Sequence, residues 1–430
     1  MNILVGKIGN VQCINDEILE KLSLKNRNKF LTNNLMSILK PEHFNFLKQS
    51  QKFYEKFEKT HNINHSEDYY EWIPELGKAG LVSRVNKFDE IGLDYEPYGI
   101  TAEFMRALAT DFFDPQLTMG MGASVLVINP LMLHNEGVEI RLRALKELVI
   151  GEKIGCCCIT EPERGSDAVH MLTSCEKQDD GSYLINGEKI YQTNGPKAHW
   201  AIIYACAEKN NGNTMAQFLV DTSWEGWNVE RVNIPWTPRM FIGKETFTNL
   251  RVPEECVLGA PGLGREHLFE GLNLERLGIV ALNLAEAWNA LSHAIIYANM
   301  RKQFDQEILK YQGVGFPLAD LWAQTMNLTL AFLHVSELVD QKMEQFNRNL
   351  PKQFNLALVA NASQLKSQSA KLSERVCYEC ANLMGGAGAC DNTLMQDLLG
   401  ISRIQEMGGG TRQIQQYIMS LALRQLFKML

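Results

Sequence analysis

The sequence predicts an α+β multidomain protein: an N-terminal helical domain, a small antiparallel β-domain in the middle and a C-terminal domain like a four-helix bundle. Three observations carry this reading. Apolar residues recur at helical spacing from Pro41 to about Ile154. Short β-branched and aromatic runs, punctuated by Asp-Gly and Asn-Gly dipeptides, fill about Gly155 to Gly264. A long helical pattern then returns and dominates. A chain of 430 residues also exceeds what one hydrophobic core usually supports. The expected division is an extension over 1–40, a helical domain over 41–154, a β-domain over 155–264 and a helical bundle over 265–430.

The first forty residues are rich in Asn, Lys and Leu without sustained periodicity, and read as an extension of no evident role. Phe46, Tyr54 and Phe57 begin the helical pattern, which continues through 100–113 and 140–150. The stretch from Gln116 to Asn135 has no charged residue and nearly the length of a membrane span. Gly120, Gly122, Asn129 and Pro130 interrupt it, so it reads as a buried core helix. In the β-region, Asp180-Gly181, Asn186-Gly187, Asn194-Gly195 and Asn211-Gly212 suit hairpin turns. Tyr183 to Ile185, Trp200 to Ala207 and Met215 to Val220 are the strand candidates between them. Beyond Gly264, Leu272, Leu277, Val280, Leu284, Trp288, Leu291 and Ile295 share one face of a helix reaching about Arg301. A second helix is expected over 318–345, and a third from Pro351 to Gly385-Gly386.

Lys plus Arg number 42 against 50 Asp plus Glu, a formal net charge of −8. That balance argues against nucleic acid or an anionic membrane surface as general partners. Ten cysteines, three of them consecutive at Cys156, Cys157 and Cys158, lack the spacing of a disulfide framework and imply a reducing compartment, by default the cytoplasm. Met1 to Asn10 shows no basic segment and no cleavage pattern of a secretory signal. Gly262 and Gly264 lack the third glycine of a dinucleotide fingerprint and read as a turn. Cys377 and Cys380 have neither a second pair nor a zinc-like histidine spacing, so they read as buried structural thiols, and no metal site is expected.

Five ordered segments remain. They are Cys158 to Asp167 (Cys-Ile-Thr-Glu-Pro-Glu-Arg-Gly-Ser-Asp), Asn186 to Lys189, Tyr191 to Gly195, Arg301 to Phe304 with Gln312, and Gly385 to Gly388. From about Pro41 to the C-terminus, their order and texture resemble the acyl-CoA dehydrogenase family of FAD-dependent enzymes. The resemblance implies that Cys158, Thr160, Tyr191, Thr193, Arg301, Phe304, Gln312, Gly385, Gly386, Thr411 and Gln413 contact FAD, and that Ser166, Arg276 and Gly409 contact substrate. Thr160, Thr193 and Tyr191 offer the hydroxyl and aromatic groups a flavin ring needs. A guanidinium such as Arg301 suits pyrophosphate. The glycines allow close backbone approach, and in this family the glycine corner and the final turn often serve a neighbouring subunit's FAD.

α,β-Dehydrogenation requires a carboxylate to take a weakly acidic proton while hydride leaves to the flavin. Most family members place that base directly before a Gly-Thr pair near the C-terminus, where this chain has Gly409. A minority, including isovaleryl-CoA and long-chain enzymes, carry it on a helix in a segment like Gly271 to Leu277 (Gly-Leu-Asn-Leu-Glu-Arg-Leu), which assigns the base to Glu275. A glycine at 409 would leave room for that carboxylate, and Glu406 is the rival. Asp305, Tyr191 and Gly400-Ile401 depart from the usual glycine, tryptophan and Arg-Asp.

The expected reaction is oxidation of an acyl thioester, with electrons passed to an electron-transfer flavoprotein or to oxygen. The expected assembly is a homotetramer or homodimer. Three alternatives stand beside it: an acyl group carried on an acyl-carrier protein instead of CoA, another flavin reaction such as monooxygenation or desulfination, and a non-catalytic binding protein on the same fold.

Overall fold

A computed structural model describes residues 14–61, 68–134, 138–345, 352–390 and 393–427. The segment over 14–40, which reads as an extension in the sequence, is built into the helical core as α1 (Asp16–Lys21) and α2 (Leu24–Leu35). Asn15 caps α1 by accepting the Ile18 N–H at 2.9 Å. Leu24, Leu31 and Leu35 are buried in the main core. Arg27, itself buried, donates to the Phe112 carbonyl and to Asn289 Oδ1, each at 2.8 Å. A narrow leucine stripe diluted by Asn and Lys explains why so little periodicity shows.

Five helices follow: α3 (Pro41–Phe57), α4 (Ile73–Lys78), α5 (Ile100–Phe113), α6 (Pro115–Leu133) and α7 (Glu139–Val149). Every residue of α5 is buried. Helix α6 is the uncharged stretch expected to be a core helix, and 78% of its most apolar window lies inside the fold; Asn135 lies outside the described residues. Asp114 caps α6 by accepting the N–H groups of Gln116 and Leu117.

The middle region forms one sheet from β1 (Gly155–Cys158), β2 (Ser174–Lys177), β3 (Tyr183–Thr193), β4 (Trp200–Cys206), β5 (Met215–Asp221), β6 (Trp227–Val232), β7 (Ile242–Val252) and β8 (Val257–Leu258). The strand order is β6-β7-β3-β2-β4-β5-β8, with β1 also paired to β4. Pairing is antiparallel except for β1 with β4 and the single pair Ser174–Cys206. Asp180-Gly181 joins β2 to β3 and Asn211-Gly212 lies between β4 and β5, as hairpin chemistry suggests. Asn186-Gly187 is not a turn: it sits inside β3, at a register shift against β7. There Gly187 has φ +149°, and a Cβ on it would stand 2.7 Å from the Thr173 Cα.

The C-terminal part holds α8 (Gly264–Met300), a small hairpin of β9 (Lys302–Gln303) and β10 (Gln306–Glu307), α9 (Gln312–Gln345), α10 (Lys352–Met384), α11 (Met395–Met407) and α12 (Arg412–Phe427). Helix α9 starts at Gln312, earlier than the expected Leu318, with Pro317 near its start. Pro351, expected to open the third long helix, lies outside the described residues. Helix α10 packs on α8, α9 and α12, which makes the bundle, while α8 also packs on α5 and α6. Helix α8 thus joins both helical parts, and 83% of its most apolar window is buried. Cys377 and Cys380 are buried and free, as are the other described cysteines of the core.

Candidate active site

Helices α5, α6 and α8 meet the ends of β1 and β3 around a cleft of about 240 Å³. Thr160, Tyr191 and Thr193 line it from the sheet side, and Glu275 and Gly409 from the helical side. Five residues expected from widely separated motifs therefore share one wall system.

The sheet side is rigidly held. Glu161 is buried and accepts from the N–H groups of Leu172 at 2.6 Å and Thr173 at 2.9 Å and from Lys189 Nζ at 3.0 Å. Burial works to push this carboxyl up, but Lys189 and those N–H donors outweigh it and leave it below the usual carboxylate value. The Thr160 carbonyl accepts from the Ile190 N–H at 2.9 Å and from Gln192 Nε2 at 3.1 Å, which ties the loop after β1 to β3. A second register shift in β3, between Ile190 and Gln192, turns Tyr191 outward with φ +66°. At the end of β3, Asn194 is wholly buried in the left-handed conformation. It donates to the carbonyls of Gly120 at 2.8 Å and Gly155 at 3.0 Å and accepts from Tyr70 Oη at 2.7 Å. Asn194 thereby locks Thr193 between α6 and β1, more than the plain turn its sequence suggests.

Strand alternation corrects one assignment. Cys156 and Cys158 point into the sheet core with Ile185 and Ile203, and it is Cys157, on the opposite face, that lines the cleft. The Cys158 side chain is not in the site.

Glu275 lies on α8, half-buried, and burial pushes its carboxyl up to about 7 against the opposing pull of Arg276 and Lys366. Arg276 is buried beside it, donates to Asn273 Oδ1 at 2.8 Å and is outside the cleft lining. Facing Glu275, Gly409 has φ +61°, and a Cβ there would stand 2.6 Å from Ile279 Cδ1 and 3.7 Å from Glu275 Oε1. The turn carrying Gly409 is clamped from below. Lys366 Nζ donates to the carbonyls of Glu406 at 2.9 Å and Gly410 at 2.8 Å, and Gln415 Nε2 donates to those of Gly409 and Gly410, each at 2.9 Å. Burial brings the Lys366 ammonium down to about 8. Glu406, the rival base, does not line the cleft and lies near Arg412, 3.7 Å from its Nε.

The remaining expected residues do not gather here. Ser166, Arg301, Gln312, Gly385, Gly386 and Gln413 are exposed and outside the cleft, Phe304 is 89% exposed, and Thr411 is partly buried outside it. Sequence reasoning missed Glu103 and Arg106 of α5 and Asn86 and Asn129, which line the cleft, and Lys366 and Gln415, which hold its floor.

Residues 156–242 match the family described as acyl-CoA dehydrogenase, middle domain, and residues 262–423 match acyl-CoA dehydrogenase, C-terminal domain. A probable acyl-CoA dehydrogenase of Mycobacterium tuberculosis is 30% identical over 290 residues, which are 66% of this chain and 70% of that protein. The chain belongs to the acyl-CoA dehydrogenase family. It is accordingly an oxidoreductase of the type that acts on CH–CH groups. It is also 29% identical to a mitochondrial isovaleryl-CoA dehydrogenase of rice over 310 residues, 71% of each chain. The solved butyryl-CoA dehydrogenase of Megasphaera elsdenii superposes with a TM-score of 0.79 at 26% identity, covering 90% of this chain and 98% of that one. The family's three-part architecture is the one described above.

Proposed function

We propose that this acyl-CoA dehydrogenase family member is a FAD-dependent enzyme that oxidises an acyl thioester to its α,β-unsaturated form, with Glu275 as the base. The observation that carries the reading is the convergence of Thr160, Tyr191 and Thr193 with Glu275, held near pH 7 by burial, in one cleft. A carboxyl poised near neutrality is matched to removing a weakly acidic proton.

The donor set fits a flavin ring: two threonine hydroxyls and an aromatic face at one wall, with a carboxylate at the other. FAD, when bound, supplies the acceptor for the β hydride. Glu275 takes the α proton, and the backbone N–H of Gly409 is available to the thioester carbonyl, whose negative charge grows as that proton leaves. Leu274, Ile279 and Leu282 in the cleft lining limit water around the carboxylate. Arg301, Phe304, Gln312, Gly385 and Gly386, exposed away from the cleft, suit the rest of a FAD molecule that spans two copies of the chain in a homodimer or homotetramer. The electrons then pass to an electron-transfer flavoprotein or to oxygen.

Anaerobic titration of the flavin-loaded protein with saturated CoA thioesters tests the reading. Bleaching of the flavin band, with the matching 2-enoyl thioester as product, is expected. Bleaching by acyl-carrier-protein thioesters alone would shift the carrier and keep the chemistry. A flavin band unchanged by every thioester would overturn the assignment.

A further inference from the structure

The turn before α12 runs through three glycines, Gly408, Gly409 and Gly410, and two buried side chains hold it. Gly409 and Gly410 have φ +61° and +92°, and glycine itself does little to fix the peptide planes around it. Gln415, wholly buried in the first turn of α12, supplies the order. Its Nε2 donates to the carbonyls of Gly409 and Gly410, each at 2.9 Å. Lys366 Nζ spans the same turn, from the Glu406 carbonyl at 2.9 Å to that of Gly410 at 2.8 Å. The peptide between Gly408 and Gly409, whose N–H is the one offered to the thioester, is thus held from both sides. The N–H groups of Gly409 and Gly410 have no acceptor among the described residues. A Cβ on Gly410 would stand 3.0 Å from Gln415 Nε2, so that glycine and the amide are fitted to each other. Gln415 Oε1 is buried without a donor among the described residues, a cost that a side chain serving only to fill space would not carry.

Resting on the thioester reading above, we infer that Gln415 is a positioning residue for proton removal: it holds the Gly409 N–H beside the Glu275 carboxylate, where the thioester oxygen gains negative charge. The proton leaves the carbon next to the carbonyl, so the base and the donor to that oxygen must be neighbours. They are, since the place of a Cβ on Gly409 lies 3.7 Å from Glu275 Oε1. A donor fixed in advance stabilises the developing oxyanion without reorganising as the charge appears, whereas a glycine turn free to rotate must first be ordered. Gln415 is outside the cleft lining and acts only through the turn. Lys366 does not duplicate it, because the ammonium holds the Glu406 and Gly410 carbonyls and leaves that of Gly409 to the amide.

A 3-oxoacyl thioester tests this, because its α proton is acidic and its third carbon has no hydride to give, so it enolises without reducing the flavin. Its enolate absorbance, followed against pH on the flavin-loaded protein, reads the oxyanion contact. The matched 2-enoyl thioester, which does not enolise at the α carbon, reads binding alone. Gln415→Met is expected to lower the ratio of enolate to keto form about 10- to 100-fold, while binding of the 2-enoyl thioester changes by less than about threefold. Gln415→Asn keeps the amide on a shorter stem, should lose part of the same ratio, and serves if the methionine variant does not fold. An unchanged ratio in both variants, or equal losses of enolate formation and 2-enoyl binding, would overturn the inference and leave the dehydrogenase reading intact wherever saturated thioesters still bleach the wild-type flavin. A wild type that forms no enolate would overturn the inference as well, and absence of bleaching by every saturated thioester would then sink the dehydrogenase reading with it.

Discussion

The carboxylate of Glu275 and the backbone of Gly409 meet across the cleft, with Oε1 lying 3.7 Å from where a Cβ on residue 409 would stand. The absence of a side chain at 409 and the presence of an acid at 275 are thus one spatial arrangement. A Cβ alone would crowd Ile279 Cδ1 at 2.6 Å, and a longer side chain would compete with the carboxylate for its space.

Gly409→Ala is expected to destabilise the fold by about 1–3 kcal/mol, because an L side chain is strained at φ +61° and the Ile279 contact adds to the cost. Thermal melts check this. Combining it with Ile279→Val should recover the contact part and leave the backbone part.

The pH dependence follows from Glu275. A base must be ionised to act, and burial lifts this one to about 7, so kcat/KM should rise with pH and level off above a midpoint near 7. A flat profile between pH 5 and 9 would show that another group takes the proton.

Lys366 acts through its neighbours. Its charge holds the Glu275 carboxyl down and its ammonium clamps the Glu406 and Gly410 carbonyls. Lys366→Gln should therefore move the midpoint of the pH–rate profile upward, and Lys366→Arg should bring it back toward 7. A purely structural role would lower the amplitude without moving the midpoint.

Glu245 makes stability itself depend on pH. It is wholly buried with both carboxylate oxygens unbonded among the described residues, in the space left by Gly195 and Gly243, and burial raises it from 4.5 to about 8. The folded chain keeps a proton that the unfolded chain releases, so this contribution is complete below about pH 4.5 and is lost as pH rises through 8. Denaturant titrations should show stability falling over that window by at most ~1.4 kcal/mol per pH unit from this group. Glu245→Gln, uncharged at every pH, should flatten the fall.

Much of the architecture was legible because helical periodicity and turn dipeptides are local signals. Thr160, Tyr191, Thr193, Glu275 and Gly409 were legible because each sits in a motif whose order survives along the chain, and they converge in the cleft. What escaped the sequence depends on phase or depth. Cys157 and Cys158 differ only in which face of β1 they take, and one residue decides it. Asn186-Gly187 has turn chemistry, yet β3 runs through it as a bulge because β7 pairs on both sides. Glu103 and Arg106 look like an ordinary surface pair at i and i+3, and only the complete burial of α5 makes them a polar wall. Lys366 is one lysine among many until the final turn folds back over it.

The central claim is that Glu275 takes the α proton. Anaerobic stopped-flow mixing of flavin-loaded wild type, Glu275→Gln and Glu406→Gln with a thioester that bleaches the wild-type flavin tests it most directly. The account predicts that flavin reduction slows by at least about 100-fold in Glu275→Gln with thioester binding retained, and stays near wild type in Glu406→Gln. Reduction at the wild-type rate in Glu275→Gln would contradict it.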